Sequence, residues 1–297
     1  MSFIKKTATF LFCTVFLLFA VINVNSQTSV KPVSENPPTT PVRKPSLGVA
    51  PAIVIANVKP GKTFTQEFTL ANGSDGYVRF RCSLGDYWFD KDNAPVLASA
   101  GTLERSASPW IQFTPSEVLI APQSSVVVKA VISIPQNAVG GYYSMPFFEG
   151  EAAEPPNSVA SKGEIRAVSS IALRIGGLIM LSTEKDSDYN IEIVNGKATP
   201  PTDSTELELT LDVINRGNVH AYLKGLFAIL DDKGQLVGQG KIEDRMAMPS
   251  QSRTLKGIWS GDLPPGDYTV LSTISFERAG LAPMSLVNEV PLKVVKR

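Results

Sequence analysis

Cysteine is nearly absent from this chain. Only Cys13 and Cys82 occur among 297 residues, and Cys13 sits inside an apolar N-terminal run that an export signal would take away. One remaining cysteine excludes an internal disulfide. The fold must then hold by core burial alone, which two domains of this size can supply. Histidine is scarcer still, with His220 alone. A typical zinc site needs more histidine or cysteine than that. A Ser-His-Asp triad would have to use His220, and no Gly-x-Ser-x-Gly elbow accompanies it. His220 therefore reads as an ordinary strand-edge residue. Gly-rich phosphate loops are missing too. So is an excess of one charge: 28 basic and 28 acidic residues cancel, which argues against nucleic acid as a partner. Asp86, Asp90 and Asp92 cluster, but without the Gly and terminal Glu of a calcium loop. They read as a solvated loop. These absences describe a non-enzymatic chain with no cofactor and no metal.

What is present begins with the N-terminus. Lys5 and Lys6 form a basic head, Phe10 to Val24 is almost wholly apolar, and Val24-Asn25-Ser26 offers a cleavage site. That is the layout of a secretory signal peptide over residues 1–26. The run is shorter than the ~20 residues of a comfortable membrane span, so contact with the membrane is expected only through the signal. Retention as an N-terminal anchor is the alternative. Residues 27–47 are rich in Pro, Thr and Ser and read as an extended linker. The expected location is the periplasm, the cell surface or the exterior.

From Gly48 onward no convincing amphipathic helix appears. Short β-branched and aromatic runs alternate with turn residues. Strands are expected at Ile53 to Val58, Thr63 to Leu70, Tyr77 to Leu84, Ser125 to Ile134 and Gly141 to Phe148. Ile165 to Leu181 is a long apolar stretch broken by Gly176-Gly177. Further strands follow at Leu207 to Val213, Ala221 to Leu230, Leu236 to Glu243, Ser252 to Trp259, Tyr268 to Phe276 and Val287 to Val295. Asp231-Asp232-Lys233-Gly234 is a hairpin turn with Gly available for positive φ. The pattern is all-β: two tandem immunoglobulin-like antiparallel sandwiches, over 48–184 and 185–297.

The halves show a weak repeat. Pro122-Gln123-Ser124-Ser125 and Pro249-Ser250-Gln251-Ser252 each open a strand, and Tyr142 and Tyr268 follow at similar distances. Asn72 and Asn215 end matching strands. The Asn-to-Pro spacing is 50 residues in the first half and 34 in the second. The first domain therefore carries an insertion, placed at Asp86 to Ser108. A Tyr at such a corner is expected to bond nearby backbone.

Cys82 alternates with Val78 and Phe80, so its thiol should face the core; a reactive thiol is the other reading. Trp110 reads as core filling. Tyr87 and Trp88 have two readings, a ligand platform on an exposed loop or inter-sheet packing.

Several first-domain features, taken together, resemble a known family. Pro60-Gly61 precedes a strand ending at Asn72. Trp110-Ile111-Gln112-Phe113-Thr114-Pro115 leads to Val118-Leu119-Ile120-Ala121-Pro122. A Val-rich strand ends at Ile134-Pro135, and Gly141-Tyr142-Tyr143 to Phe147-Phe148-Glu149 follows. This pattern resembles the N-terminal domain of periplasmic pilus-assembly chaperones, the PapD-like proteins. It covers about half of the chain. The second domain is generically immunoglobulin-like. The resemblance implies capture of an exported partner, such as a pilus or surface subunit, by strand augmentation or in the interdomain cleft. The implied donor strand is Ile165 to Ile175, with Ile171, Leu173 and Ile175 alternating, and Arg166 and Arg174 as nearby cations. A plain edge strand guarded by arginines is the other reading. Ile53 to Val58 lacks the arginine that the family's first strand brings. The alternative function is an envelope structural or adhesive protein binding cell-wall glycan or matrix, with Tyr87 and Trp88 as its platform.

Overall fold

Among the described residues, eighteen strands and one 3-10 turn account for the regular structure. The computed structural model describes residues 46–90, 92–156, 172–184, 186–278 and 280–295. All of them belong to one compact unit, Arg43–Arg297. The signal-peptide and linker readings for residues 1–45 lie outside the described residues, as do Arg166 and Ile171 of the expected donor strand.

The first sandwich contains β1 (Leu47–Ala50), β2 (Ile53–Val58), β3 (Thr63–Asn72), β4 (Tyr77–Phe89), β5 (Pro95–Ser99), β6 (Ile111–Thr114), β7 (Glu117–Ile120), β8 (Ser124–Ser133), β9 (Gly141–Ala153), β10 (Leu173–Gly176) and β11 (Leu178–Thr183). The 3-10 turn, Ser108–Trp110, precedes β6. One sheet has the order β1-β3-β8-β6. The other runs β2-β11-β9-β4-β5, with β10 also on β9 and β7 also on β4. The alternation that marks β3 and β8 in the sequence places Phe68, Leu70, Val128, Ala130 and Ile132 in the core. Val54, Phe80, Phe148, Ile179 and Leu181 face them from the other sheet. Removing side chains of this size from water contributes roughly 1.5–3 kcal/mol each, which is how the fold does without a disulfide.

The first two strands belong to different sheets. β1 pairs antiparallel with β3, whereas β2 pairs in parallel with β11. Pro51, between them, has no N–H to offer a ladder, so the chain leaves one sheet there and joins the other. The sequence reading ended its linker at residue 47 and had no strand there. Leu47 in fact opens β1, because backbone pairing with Asn72 organises a segment too short to show a period.

The second sandwich contains β12 (Ile191–Thr199), β13 (Leu207–Asn215), β14 (Ala221–Leu230), β15 (Leu236–Ala247), β16 (Ser252–Trp259), β17 (Gly266–Arg278) and β18 (Leu281–Val294). Its sheet order is β12-β13-β16-β15-β14-β17-β18. A single pair, Ile242 with Gly257, joins β15 to β16. The halves on either side of that pair close on one core, with Leu209, Leu211 and Leu255 meeting Phe227, Ile229, Val270 and Ile274. Phe227 lies against the backbone at this fold. A Cβ at Gly240 would come within 2.5 Å of its ring, and one at Gly257 within 2.7 Å. Only glycine fits there.

The expected insertion, Asp86 to Ser108, covers the end of β4, β5 and the start of the 3-10 turn, and Asp86 holds it. Its carboxylate accepts from Thr102 N (2.9 Å), Leu103 N (3.0 Å), Ser106 Oγ (2.6 Å) and Ser108 Oγ (2.7 Å). Burial alone would raise the Asp86 pKa. The Leu103 N–H and the two serine hydroxyls outweigh it and hold the group below the ordinary carboxylate value. Asp86 is thus buried in β4, not solvated in a loop. Asp90 turns the hairpin, accepting from Asp92 N and Ala94 N. Tyr268 bonds Pro264 O at 2.8 Å, and Tyr142 Oη accepts weakly from Val139 N at 3.4 Å.

Candidate functional site

The domain junction decides what the first domain can offer a partner. Tyr87, Phe89, Tyr143, Met145, Phe147 and Met180 form an apolar face on the sheet that contains β4, β9 and β11. Met246 and Met248, at the end of β15, pack into it. Methionine adapts to the irregular space between aromatic rings. Polar contacts ring the cluster. The Arg253 guanidinium, in β16, donates to Phe89 O (3.0 Å), Asp90 O (2.5 Å), Met246 O (2.8 Å) and Gln251 Oε1 (2.6 Å). Gln251 Nε2 also donates to Phe89 O at 2.7 Å. Gly141 N donates to Asn218 O at 2.7 Å. These bonds hold β4 and β9 of the first sandwich against the second.

His220 lies at this junction rather than on a free strand edge. Its ring meets Tyr143 edge-on at 5.6 Å between centroids. Its Nδ1 is buried with no hydrogen-bond partner among the described residues. Burial pushes its pKa down to about 4, so it is neutral near pH 7.

Tyr87 and Trp88 are strand residues of β4, not loop residues. Tyr87 is only 1% exposed and belongs to the junction cluster. A phenol ring packed between two domains presents no face to a glycan, which corrects the exposed-platform reading for it. Trp88 is half-buried. Tyr87 was unreadable as a junction residue because its partners Met246 and Met248 lie far along the chain. Cys82 is half-buried against the first core, and burial raises its pKa to about 11. Trp110 packs on Tyr142 with ring centroids 4.3 Å apart.

The described part of the expected donor strand is β10. It pairs antiparallel with β9: Leu173 opposite Gly150, Arg174 opposite Glu149, Ile175 opposite Phe148. Leu173 and Ile175 point toward the sandwich side and are half-buried. Arg174 points to the junction side, its guanidinium carbon 3.7 Å from the Phe147 ring centroid. This is cation–π stacking on a residue of the junction cluster. Among the described residues, β10 has no strand on its other side.

The reason lies in the sheet switch. Beyond Gly177, β11 has β9 on one side and β2 on the other. Before Gly177 the chain of β1 is in the opposite sheet. Among the described residues, no strand takes the place beside β10 that would continue the line of β2. Sequence reading found Leu173, Arg174 and Ile175 by alternation. It missed the second exposed edge, β2, where Ile53 and Ile55 face outward. The sequence marked Ile53 to Val58 as a strand without an arginine, but nothing local showed that its outer side would be an edge.

No protein-family model and no curated protein sequence matches this chain. Solved structures do. A chain from the chaperone–tip adhesin complex of CFA/I fimbriae biogenesis aligns over 82% of this chain and 98% of its own, at 12% identity and a TM-score of 0.48. The class 5 fimbriae chaperone CfaA aligns over 83% of this chain and 100% of its own, at 13% identity and a TM-score of 0.47. The E. coli chaperone DraB aligns over 76% and 90%, at 13% identity and a TM-score of 0.34. All three scores are below 0.5, so the two-sandwich assignment rests on the strand pairing and cores described above. Similarity to chaperones, among them one of class 5 fimbriae, is what these comparisons report for this chain.

Proposed function

We propose that this chain is an exported, non-enzymatic chaperone-like protein that captures an exported partner by adding its own strand β10 to the partner's sheet. The carrying observation is that, among the described residues, β10 has no strand on its outer side, where β1 and β2 divide between two sheets. A partner strand placed there would run in line with β2. Its backbone would satisfy the unpaired groups of Leu173 to Gly176. The half-buried Leu173 and Ile175 would supply alternating apolar contacts. Arg174, stacked on Phe147, would offer a cation at the domain junction, the chemistry needed for a carboxylate or an acidic side chain.

The sequence supports the rest of this reading. The N-terminal signal pattern fits a periplasmic or surface location, and a pilus or surface subunit is the partner the resemblance implies. Residues 48–184 and 185–297 serve as the two domains in this scheme. Arg166 and Ile171, which the sequence places in the same donor segment, lie outside the described residues.

The test uses the full exported chain. Leu173→Asp with Ile175→Asp places charges where a partner's groove would be apolar. Affinity capture from envelope extracts of the source cell, with proteins identified by mass spectrometry, should lose its specific partner while the melting temperature stays near that of the wild type. An unchanged set of captured proteins rules out donation by β10.

A further inference from the structure

Strand β2 is the outer strand of the seven-stranded sheet and is hydrogen-bonded to β11 alone among the described residues. Leu178 N donates to Ala52 O at 2.8 Å, and Glu184 N to Val58 O at 2.9 Å. By alternation the backbone groups of Val54 and Ala56 also face β11. The N–H and C=O groups of Ile53, Ile55 and Asn57 therefore point to the open edge.

Folded proteins protect such an edge with charge, proline or a bulge. Ile53–Val58 has no charged residue and no proline, and its register with β11 is unbroken. Instead it exposes isoleucine: Ile53 is 55% and Ile55 is 67% exposed. These side chains stand opposite Leu178 and Met180 of β11. Met180 belongs to the junction cluster, so the exposed patch continues an apolar interface that already exists. The turn between β17 and β18 reaches this strand from the second domain. A Cβ at Gly280 would lie 4.0 Å from Asn57 Nδ2. Leu281 and Met284, just beyond that turn, are exposed as well.

We propose that the β2 edge and the turn at Gly280 form a second docking site, which takes one extended, uncharged, apolar strand of a partner protein. The site is separate from β10 and does not depend on donation by it. Its chemistry also differs, because β2 offers no cation for a carboxylate. A single strand is the occupant that fits. A second copy pairing antiparallel through β2 would put Ile55 against Ile55 and Asn57 against Ile53. Each copy's Gly280 turn, beside its own Asn57, would then stand over the other copy's Ile53. An isolated strand brings no such obstruction.

The probe is a short peptide alternating Val and Thr, acetylated, amidated and fluorescently labelled, titrated against the full exported chain by anisotropy. Saturable binding is expected. Ile53→Lys with Ile55→Lys should weaken it at least about tenfold without changing the melting temperature, since both positions are exposed. Leu173→Asp with Ile175→Asp should leave it intact. The proposal is overturned by any of four results: no saturable binding up to about 1 mM peptide, equal binding by the β2 variant, loss of binding in the β10 variant, or a wild-type dimer in sedimentation that the β2 variant dissolves.

Discussion

Asn72 and Asn215 occupy the same structural position in the two sandwiches. Each ends a strand and is buried. Each donates Nδ2 to the carbonyl four residues ahead, Gly76 O for Asn72 and Val219 O for Asn215, both at 2.8 Å. Each also donates to the end of a later strand, Ile120 O at 3.1 Å and Ala247 O at 2.9 Å. Each accepts at Oδ1 from the N–H two residues on, Ser74 and Gly217, at 3.0 Å. Gln123 and Ser250 repeat the match, each following a proline with φ of 53° and 62°.

These amides satisfy buried carbonyls that have few other donors. Asn72→Ala and Asn215→Ala should each cost about 1–3 kcal/mol, read from urea unfolding. Asn→Asp at either position should cost more, because a carboxylate would face carbonyl oxygens. A change within about 0.5 kcal/mol would show that the turns hold without the amide.

Arg253 ties the domains together through carbonyl oxygens of both. Burial lowers its pKa, although the charge is kept. Arg253→Ala removes four hydrogen bonds, three of them to carbonyl oxygens of the two domains, and empties space at the junction. The expected calorimetric outcome is two separated transitions in place of one. A single transition at the wild-type temperature would mean the methionine cluster suffices.

His220 should make the protein acid-sensitive. Its folded pKa, about 4, lies below the ordinary value of 6.5. A depressed pKa means the unfolded chain binds the proton first. The contribution is complete above about pH 6.5 and is lost progressively as pH falls toward 4. His220→Gln should show a flatter decline in urea midpoint between pH 7 and pH 4 than the wild type. Asp86 adds a second loss at lower pH, as its depressed carboxylate protonates.

The Cys82 thiol, with its pKa raised to about 11, holds little thiolate near neutral pH. Native labelling with a disulfide reagent should run on the order of a hundredfold slower than in denaturant. Fast native labelling would place the thiol outside the core.

Much of the fold was legible because alternation is a local signal. Leu207, Leu209, Leu211 and Val213 announced β13, and β14 and β16 match their expected limits. The strands that were missed, β1, β5, β6, β7 and β12, are short or interrupted. Their pairing energy comes from neighbours distant in sequence, as when Ile191 lies opposite Asn215 and the register shifts between Ile193 and Asn195. The candidate edge was half legible. Leu173, Arg174 and Ile175 stood out by alternation, but their open side was invisible, because it depends on which sheet β1 and β2 join.

The near absence of cysteine settled, from composition alone, that this chain would stand on buried apolar surface rather than on disulfides. The repeat of Asn, Pro and Tyr spacings likewise revealed a twice-used framework. Tertiary structure decided which aromatics are free. Tyr87 reads like bait in the sequence and is sealed between domains, whereas Ile53 and Ile55, which the sequence marks only as part of a strand, lie exposed. Alternation tells which face a side chain occupies. Whether that face meets a second domain, a second sheet or water depends on contacts that only the folded chain brings together.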